Sequence, residues 1–267
     1  MSLPISVFII AQNEERRIGD AIRSVCDLAG EIVVVDSGST DRTVDIAGEL
    51  GAVVHQHAWT GFGPQKRYAE DKCRHDWLLN LDADEVVTPD LADEIRTLFS
   101  DQPPEPAAYT LRILNVYPGD EKPRPFANDY NVVRLYNRNV ARYRDHPVFD
   151  RVEVQEGVPV RTLRAPAFHH TIIDWYHMVD KANRFTSHQL DSMTGRARWK
   201  LKLRLVTEFP VNFIRNYVFR RHMFGGQKGF IFALNTAFLR TMRIAKILER
   251  QEQMERETLQ RRTGKER

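Results

Sequence analysis

The first hundred residues alternate short runs of β-branched residues with segments whose apolar residues recur at helical spacing. The runs predict strands at residues 6–10, 32–35, 52–54 and 77–81. The helical spacing predicts helices at residues 14–28, 41–50, 65–73 and 89–99. Strands that alternate with helices usually form a parallel sheet covered by helices on both faces. The pattern therefore predicts an α/β fold with a mostly parallel, doubly wound sheet.

The pattern changes after a proline-rich linker at residues 101–106. Beyond it, strands are predicted at residues 109–115, 131–135 and 148–154, and helices at 174–193, 199–223 and 225–262. We expect three parts: an α/β half at 1–100, a second half of the same domain at 101–195, and a helical C-terminal extension at 196–267.

Charge is distributed unevenly along the chain. The net charge is only +3, yet residues 196–267 carry 18 Lys and Arg against 6 Asp and Glu. Such a segment can meet membrane headgroups or nucleic acid, or it can be a solvated helix face. Basic residues between Arg196 and Arg204 precede aromatic and aliphatic residues between Phe209 and Phe219, which favours an amphipathic helix on anionic lipid. We predict a peripheral membrane contact through these helices and no nucleic-acid partner.

Signals for export or membrane insertion are missing from the sequence. No stretch reaches the roughly 18 apolar residues that a spanning helix needs, and the first ten residues predict a buried strand instead of a signal peptide. The two cysteines, Cys26 and Cys73, make no disulfide framework. These features predict a cytoplasmic protein on the inner face of the cytoplasmic membrane.

Polar and acidic clusters follow three of the four predicted strands in the first hundred residues. The clusters occupy residues 11–15, 36–41 and 82–85. Because ligands bind at the carboxyl ends of strands in open α/β sheets, three clusters on one edge indicate a binding site more strongly than three unrelated helix caps.

The sequence Asp82-Ala83-Asp84 places two carboxylates directly after the apolar strand at 77–81. Mg²⁺ and Mn²⁺ prefer oxygen ligands and usually take one or two carboxylates together with phosphates and water. Neither a G-x-G-x-x-G loop nor a Walker A sequence occurs in the chain. The cluster therefore predicts a diphosphate bound through a divalent metal ion.

Four segments closely resemble glycosyltransferase family 2. They read IIAQNEE at 9–15, EIVVVDSGSTDRT at 31–43, GFGPQK at 61–66 and LDADE at 81–85. The similarity is dense over residues 5–99 and resumes near 174–187 and 225–249. Together the segments look like the subgroup that includes lipopolysaccharide core glycosyltransferases of the WaaE/KdtX type. It implies a GT-A (nucleotide-diphospho-sugar transferase) fold, with a nucleotide-sugar-binding half at 1–100 and an acceptor-side half at 101–195.

The resemblance also implies which residues bind the nucleotide-sugar donor. Asn13 and Glu14 would lie beside the base and ribose. Asp36 would bind the uracil or ribose, and Lys66, helped by Arg67, would approach the nucleotide or diphosphate. Position 11 is usually a threonine or serine in the family. It is Ala11 here, which removes one possible hydroxyl contact.

A metal ligand and a general base follow from the same resemblance. Asp82 would contact the ribose or the sugar, and Asp84 would bind Mg²⁺ or Mn²⁺ directly. The family's Val-His-Glu-Arg-Val segment, whose acid lies near the acceptor hydroxyl, corresponds here to VFDRV and makes Asp150 the candidate base. Asp145 and His146, a few residues away, are alternatives.

The implied reaction is an inverting transfer of a hexosyl group from a UDP-sugar. The acceptor hydroxyl, deprotonated by a carboxylate, would attack the anomeric carbon opposite the leaving diphosphate, whose charge the metal would offset. The expected acceptor is a cell-envelope glycan such as lipopolysaccharide core. A sugar nucleotidyltransferase, a non-enzymatic basic adaptor and a phosphoreceiver domain are the rival classes, of which only the first also accounts for the Asp-x-Asp sequence.

Overall fold

The computed structural model describes residues 2–100, 103–147, 150–188 and 197–264. The chain divides into two compact units. The first comprises Met1–Val116 and Asp129–Thr171, and the second comprises Tyr117–Asn128 and Ile172–Arg267.

The described residues of the first unit contain ten strands. These are β1 Leu3–Ala11, β2 Ala29–Asp36, β3 Val53–Gln56, β4 Trp77–Asn80, β5 Glu85–Val87, β6 Ala108–Asn115, β7 Asp129–Asn137, β8 Ala141–Tyr143, β9 Val152–Val154 and β10 Val160–His169. Eight of them form one sheet in the order β3-β2-β1-β4-β7-β6-β10-β5, and β8 pairs with β9.

Most pairings in the large sheet are parallel. Strand β1 runs parallel to β2 and β4, β2 to β3, and β6 to β10. Strand β7 is antiparallel to both of its neighbours, β4 and β6, and β5 is antiparallel to β10. The predicted α/β class with mostly parallel pairing is confirmed, and the antiparallel strands make the sheet a mixed one.

Four helices accompany the first hundred residues, as predicted. They are α1 Ile18–Arg23, α2 Thr43–Glu49, α3 Phe62–Lys72 and α4 Pro89–Leu98. Helix α4 begins as expected, because the Thr88 hydroxyl accepts a hydrogen bond from the Leu91 amide at 3.2 Å and Pro89 occupies the first turn. Helix α1 is shorter than the predicted 14–28, because Asn13 has φ of 56° and the next residues form turns.

Alternating residues of the central strands fill two cores, one on each face of the sheet. Ile5, Val7 and Ile9 of β1 belong to the larger core, whereas Phe8 belongs to the smaller one. This division requires helices on both faces, because a strand buried on both sides must be covered on both sides. The central strands therefore read as continuous apolar runs instead of alternating ones.

The strands after residue 100 were predicted less completely. Strand β9 starts at Val152, and the first residues of the predicted 148–154 strand, Val148 and Phe149, lie outside the described residues. Strands β5, β8 and β10 were not predicted. Strand β10 has an irregular register between Thr162 and Pro166 and carries several exposed residues, so its sequence lacks a clean strand pattern.

The C-terminal part of the second unit is helical, and the start of a separate extension at residue 196 stays a prediction. Its helices are α5 Trp175–His188, α6 Arg198–Ile214 and α7 Gly226–Gly264, with a π-helical turn at Arg215–Phe219 and a 3₁₀ turn at His222–Gly225. The predicted helix at 199–223 is confirmed to residue 219, where it ends early because Arg221 takes φ of 58°. Residues 189–193 of the predicted helix at 174–193 lie outside the described residues.

Helices α6 and α7 pack against each other. Leu201 of α6 shares a buried cluster with Ile244 and Ile247 of α7. Arg198 adds ion pairs of 2.5 Å to Glu252 and 2.7 Å to Glu255. Within the described residues, neither these helices nor any other is long and apolar enough to cross a membrane.

Candidate active site

The loop after β1 is tied to the loop after β2. The side-chain oxygen of Asn13 accepts a hydrogen bond from the Thr40 amide at 2.8 Å. The Asn13 amide donates to the Ser39 hydroxyl at 2.8 Å, and the Glu14 amide donates to the Thr43 hydroxyl at 2.7 Å. The parallel pairing of β1 and β2 thus brings the first two predicted clusters together at one edge of the sheet.

The Asp36 carboxylate is used within its own loop. One oxygen accepts hydrogen bonds from the Gly38 and Ser39 amides, each at 2.9 Å, and the other accepts from the Ser39 hydroxyl at 2.5 Å. Asp36 is fully buried, and Gly38 has φ of 88°, a conformation that favours glycine. Asp36 therefore shapes the turn, and its contact with uracil or ribose stays a prediction.

Lys66 joins three parts of the site. This buried side chain lies in α3, and its Nζ is 3.0 Å from Oδ1 of Asn80, from Oδ1 of Asp82 and from Oδ2 of Asp150. Although burial alone would lower it, the charge of Asp82 raises the pKa of Lys66 above its usual range. The ammonium group thus connects the end of β4 with the loop that carries Asp150.

Arg134 of β7 supports the same acidic cluster from the other side. Its buried guanidinium contacts Asp82 and Asn80 and donates to Glu85 at 2.8 Å. Burial alone would raise the pKa of the Asp82 carboxyl, but the charges of Arg134 and Lys66 hold this pKa well below its usual range. Burial raises the pKa of Glu85, which Arg134 only partly offsets.

Asp84 has different partners from Asp82. One of its oxygens is 3.1 Å from Nε2 of His169, and the other is 3.3 Å from the guanidinium of Arg17. Arg17 also contacts the Glu14 carboxylate at 2.5 Å, so the first and third predicted clusters are connected. Burial would raise the pKa of Asp84, but His169 and Arg17 lower it. The Asp84 bond raises the pKa of His169 despite burial.

The residues around Asp84 fit a divalent metal ion that is bound together with phosphate. Asp84 Oδ1 and His169 Nε2 are 3.1 Å apart, and neighbouring ligands of an octahedral ion bound at about 2.1 Å are about 3 Å apart. Across the described ranges, no cluster of three or more His, Cys, Asp or Glu could hold a metal ion alone. Substrate phosphates and water would supply the remaining ligands, as is usual for Mg²⁺.

His169 has a second contact besides Asp84, and the oxygens of Asp82 are all paired, as are those of Asp84. The other ring nitrogen of His169, Nδ1, lies 3.0 Å from the Tyr130 hydroxyl, which can fix the ring orientation. Both oxygens of Asp82 are already paired with Lys66 and Arg134. Direct metal binding by Asp84, with Asp82 directed to the ribose or sugar, stays a prediction.

Gly61 and Gly63 let the loop before Asp150 pack against the start of α3. A Cβ atom on Gly63 would lie 2.5 Å from the carbonyl oxygen of His146, and one on Gly61 would lie 2.5 Å from Cα of Pro147. The Gly63 amide donates to the His146 carbonyl at 3.2 Å. The close approach anchors the loop on the helix that carries the lysine of the site.

The three candidate bases lie in or just after this loop. Asp150 is 36% exposed and is in contact with Lys66. Asp145 is exposed and His146 is half-buried. Asp150 also lines a groove of about 1110 Å³ in the first unit, whose other lining residues include Thr110, Asn131, Val133, Arg144 and Arg151. Such a groove beside a carboxylate offers room for an acceptor.

Several residues of the cluster were missed in the sequence. No role was assigned to Arg17, which contacts Asp84, to Asn80, which contacts Lys66, or to Glu85 and Arg134, which contact Asp82. Tyr143 was missed as well, and its hydroxyl donates to Asn80. One feature of the sequence could have indicated a paired role for Arg134, because it is a single arginine between apolar residues in a predicted strand. A charge at such a position is usually paired when it is buried.

Comparison with known proteins gives a family match over the first unit. The sequence model of the family described as Glycosyl transferase family 2 matches residues 6–153. This span contains every residue to which a donor, metal or base role was assigned from the sequence.

Curated relatives match nearly the whole chain. An uncharacterized glycosyltransferase of Rickettsia prowazekii is 37% identical over 252 residues, which cover 91% of this chain and 86% of the relative. A lipopolysaccharide core biosynthesis glycosyltransferase, LpsC of Rhizobium meliloti, is 28% identical over 93% of both chains. Among solved structures, Staphylococcus aureus TarS 1–349 covers 88% of this chain and 90% of its own, with a TM-score of 0.48 and 12% identity.

Proposed function

This chain belongs to glycosyl transferase family 2, and we propose that it transfers a sugar from a UDP-sugar to a cell-envelope glycan such as lipopolysaccharide core, with inversion. Family membership makes the chain a glycosyltransferase and decides against the nucleotidyltransferase, adaptor and phosphoreceiver readings. The donor, the acceptor and the stereochemical course are the proposed parts.

The contact of Lys66 with both Asp82 and Asp150 carries this proposal. A direct displacement needs the leaving diphosphate and the base for the acceptor hydroxyl close to one another, on opposite sides of the sugar. Lys66 Nζ lies 3.0 Å from the carboxylate of Asp82 and 3.0 Å from that of Asp150. Asp150 would accept the hydroxyl proton, while Lys66 and Arg134 keep the Asp82 carboxylate ionised and oriented toward the ribose or sugar.

The donor diphosphate would be held at the Asp84 end of the site. Asp84 and His169 would bind Mg²⁺ or Mn²⁺, which when present offsets the charge that develops on the leaving diphosphate. Asn13 and Glu14 would border the base and ribose, because their loop is bonded to the loop after β2.

The acceptor assignment has two supports. LpsC, a relative that covers the same length of chain, is named for lipopolysaccharide core biosynthesis. The groove beside Asp150 is lined by Arg144 and Arg151, which suit an acceptor with phosphate or carboxylate groups. Lipopolysaccharide core is built on a lipid. This acceptor would therefore place the enzyme at the inner face of the cytoplasmic membrane.

A titration with UDP tests the donor half of the proposal. We expect purified protein to bind UDP in the presence of Mn²⁺, and Asp84→Ala to abolish this binding while His169→Ala weakens it. Asp27→Ala removes an exposed aspartate after α1 and should bind as the native protein does. Circular dichroism of each variant would verify that the fold is intact.

Two outcomes would contradict the proposal. Absence of UDP binding with and without Mn²⁺ would exclude a uridine donor, and equal binding by Asp84→Ala would exclude this metal site. If binding is found, incubation with UDP-sugars and isolated core acceptor, followed by NMR of the new anomeric linkage, tests transfer and inversion. A product that keeps the donor's anomeric configuration would contradict the single displacement.

A further inference from the structure

Helix α6 buries polar residues on one side and exposes apolar residues on another. Its buried residues are Leu201, Glu208 and Asn212, and Asn216 in the following π-helical turn is buried as well. Glu208 is paired with Arg204 at 2.8 Å, and the Asn212 side chain donates to the Glu208 carbonyl at 2.8 Å. The buried side of the helix thus carries polar residues beside Leu201 and the partly buried Leu205.

The exposed side of the same helix is apolar. Trp199, Leu203 and Val206 are 66%, 63% and 76% exposed, and Val211 and Ile214 are also exposed. Steps of three and four residues place Trp199, Leu203 and Val206 on one stripe of the helix. A surface helix of a soluble protein normally turns such a stripe toward the core. Contacts with the described parts of the chain therefore do not account for this face.

Charge identifies the kind of surface that the stripe fits. Lys200 and Lys202 are exposed and flank the stripe, and Lys200 Nζ lies 5.4 Å from the centre of the Trp199 ring. The one acidic residue in the sequence of α6, Glu208, is buried on the opposite side. A tryptophan and lysines around an apolar stripe are typical of helices that lie in the headgroup region of anionic lipid.

We infer that the exposed face of α6, defined by Trp199, Leu203, Val206 and Ile214, inserts into the surface of an anionic lipid bilayer. The helix lies in the plane of the bilayer, because its 17 residues extend over only about 25 Å and it does not meet the requirements of a spanning helix. The polar residues Glu208 and Asn212 then face the protein and keep their hydrogen bonds.

A second copy of the chain is the less suitable occupant of this face. Two copies that joined through α6 would bring Lys200 and Lys202 of each near the other's, within a segment that has 18 basic residues against 6 acidic ones. Like charges across an interface oppose association, whereas anionic lipid neutralises them. The inference rests on the proposed function only for its purpose, which is to bring the site to a lipid-borne acceptor.

Vesicle binding tests the inference without using the transferase reaction. The full chain is mixed with vesicles of 70% phosphatidylcholine and 30% phosphatidylglycerol, and binding is measured by flotation. Tryptophan emission of the native chain is compared with that of Trp199→Phe, so that the change at Trp199 is separated from that of the other three tryptophans. We expect binding, a shift of the Trp199 emission to shorter wavelength, and much weaker binding to vesicles of phosphatidylcholine alone.

Two substitutions that add the same charge separate insertion from simple electrostatics. Val206→Asp places a carboxylate in the stripe, whereas Gln253→Asp adds one at an exposed position in the charged end of α7. We expect Val206→Asp to lower the partition coefficient about tenfold or more, and Gln253→Asp to change it less than twofold.

Three results would overturn the inference. These are no binding to the anionic vesicles, equal effects of Val206→Asp and Gln253→Asp, and a dimer in sedimentation analysis that Val206→Asp dissociates. Because UDP binding by the same preparation is measured separately, failure of the membrane contact is distinguishable from failure of the proposed enzymatic function.

Discussion

The ammonium group of Lys66 lies 3.0 Å from the carboxylate of Asp150, although the two residues are 84 positions apart in the chain. The same nitrogen contacts Asp82 directly after β4. One buried cation thus joins Asp82 after β4 to the candidate base. This relationship lets Asp150 be tested against its two neighbours in the sequence.

Asp150→Asn should abolish most of the transfer reaction while leaving donor binding intact. The amide keeps an oxygen for Lys66 but cannot accept the hydroxyl proton, so kcat should fall about 10²- to 10⁴-fold. Asp145→Asn and His146→Gln serve as matched variants and should change kcat only a few-fold. Initial rates with saturating UDP-sugar and UDP titrations measure the two effects. A larger loss in either matched variant would transfer the role of base to that residue.

Arg134→Met should lower the free energy of unfolding more than a similar change on the surface. Arg134 is buried and paired with Asp82 and Glu85, so its removal leaves two carboxylates with less compensating charge. We expect a loss of about 3–5 kcal/mol in the free energy of unfolding. Arg96→Met, which breaks an exposed pair with Asp93, should cost about 1 kcal/mol or less. Urea denaturation measures both, and equal losses would contradict the supporting role of Arg134.

Gly63→Ala should reduce activity because it displaces the loop before Asp150. The added methyl group would meet backbone atoms of His146 at 2.5 and 2.7 Å, which a side-chain movement cannot relieve. Gly48→Ala is the control, because that glycine lies in α2 with open space around it and alanine favours the helix by up to about 1 kcal/mol. We expect kcat to fall at least about tenfold in the first variant and to stay unchanged in the second. Unchanged kcat in Gly63→Ala would show that the loop tolerates displacement.

Local patterns in the sequence predicted correctly that Asp36, Asp82 and Asp84 lie at or just after strand ends. Asp82 and Asp84 could be located because an apolar strand ends immediately before them, and Asp36 because it ends another such strand. Parallel strands that follow one another with helices between them bring their carboxyl ends to one edge. For these residues, the spacing along the chain was sufficient to predict their common location.

Partners from distant strands could not be predicted in the same way. Arg134 reaches Asp82 because β7 is inserted antiparallel between β4 and β6, and His169 reaches Asp84 because β10 pairs with β5 and β6. Hydrophobic periodicity indicates that a strand exists but not which strand it pairs with. The break after α6 was missed for a related reason, since Arg221 adopts a left-handed conformation that its residue type does not favour.

His222→Gln should remove part of the loss of stability at acidic pH. His222 is buried in the second unit, its Nδ1 lies 2.6 Å from the Tyr117 hydroxyl, and burial together with Arg124 and Arg220 lowers its pKa to about 4. Between pH 6.5 and 4 the unfolded chain therefore binds a proton here that the folded chain does not, so stability falls as pH falls. At pH 5 this amounts to about 2 kcal/mol relative to pH 7.5. The urea midpoints of native protein and variant at both pH values measure it. Tyr117→Phe, which leaves the histidine buried, should keep the native pH dependence, and an unchanged dependence in His222→Gln would contradict the assignment.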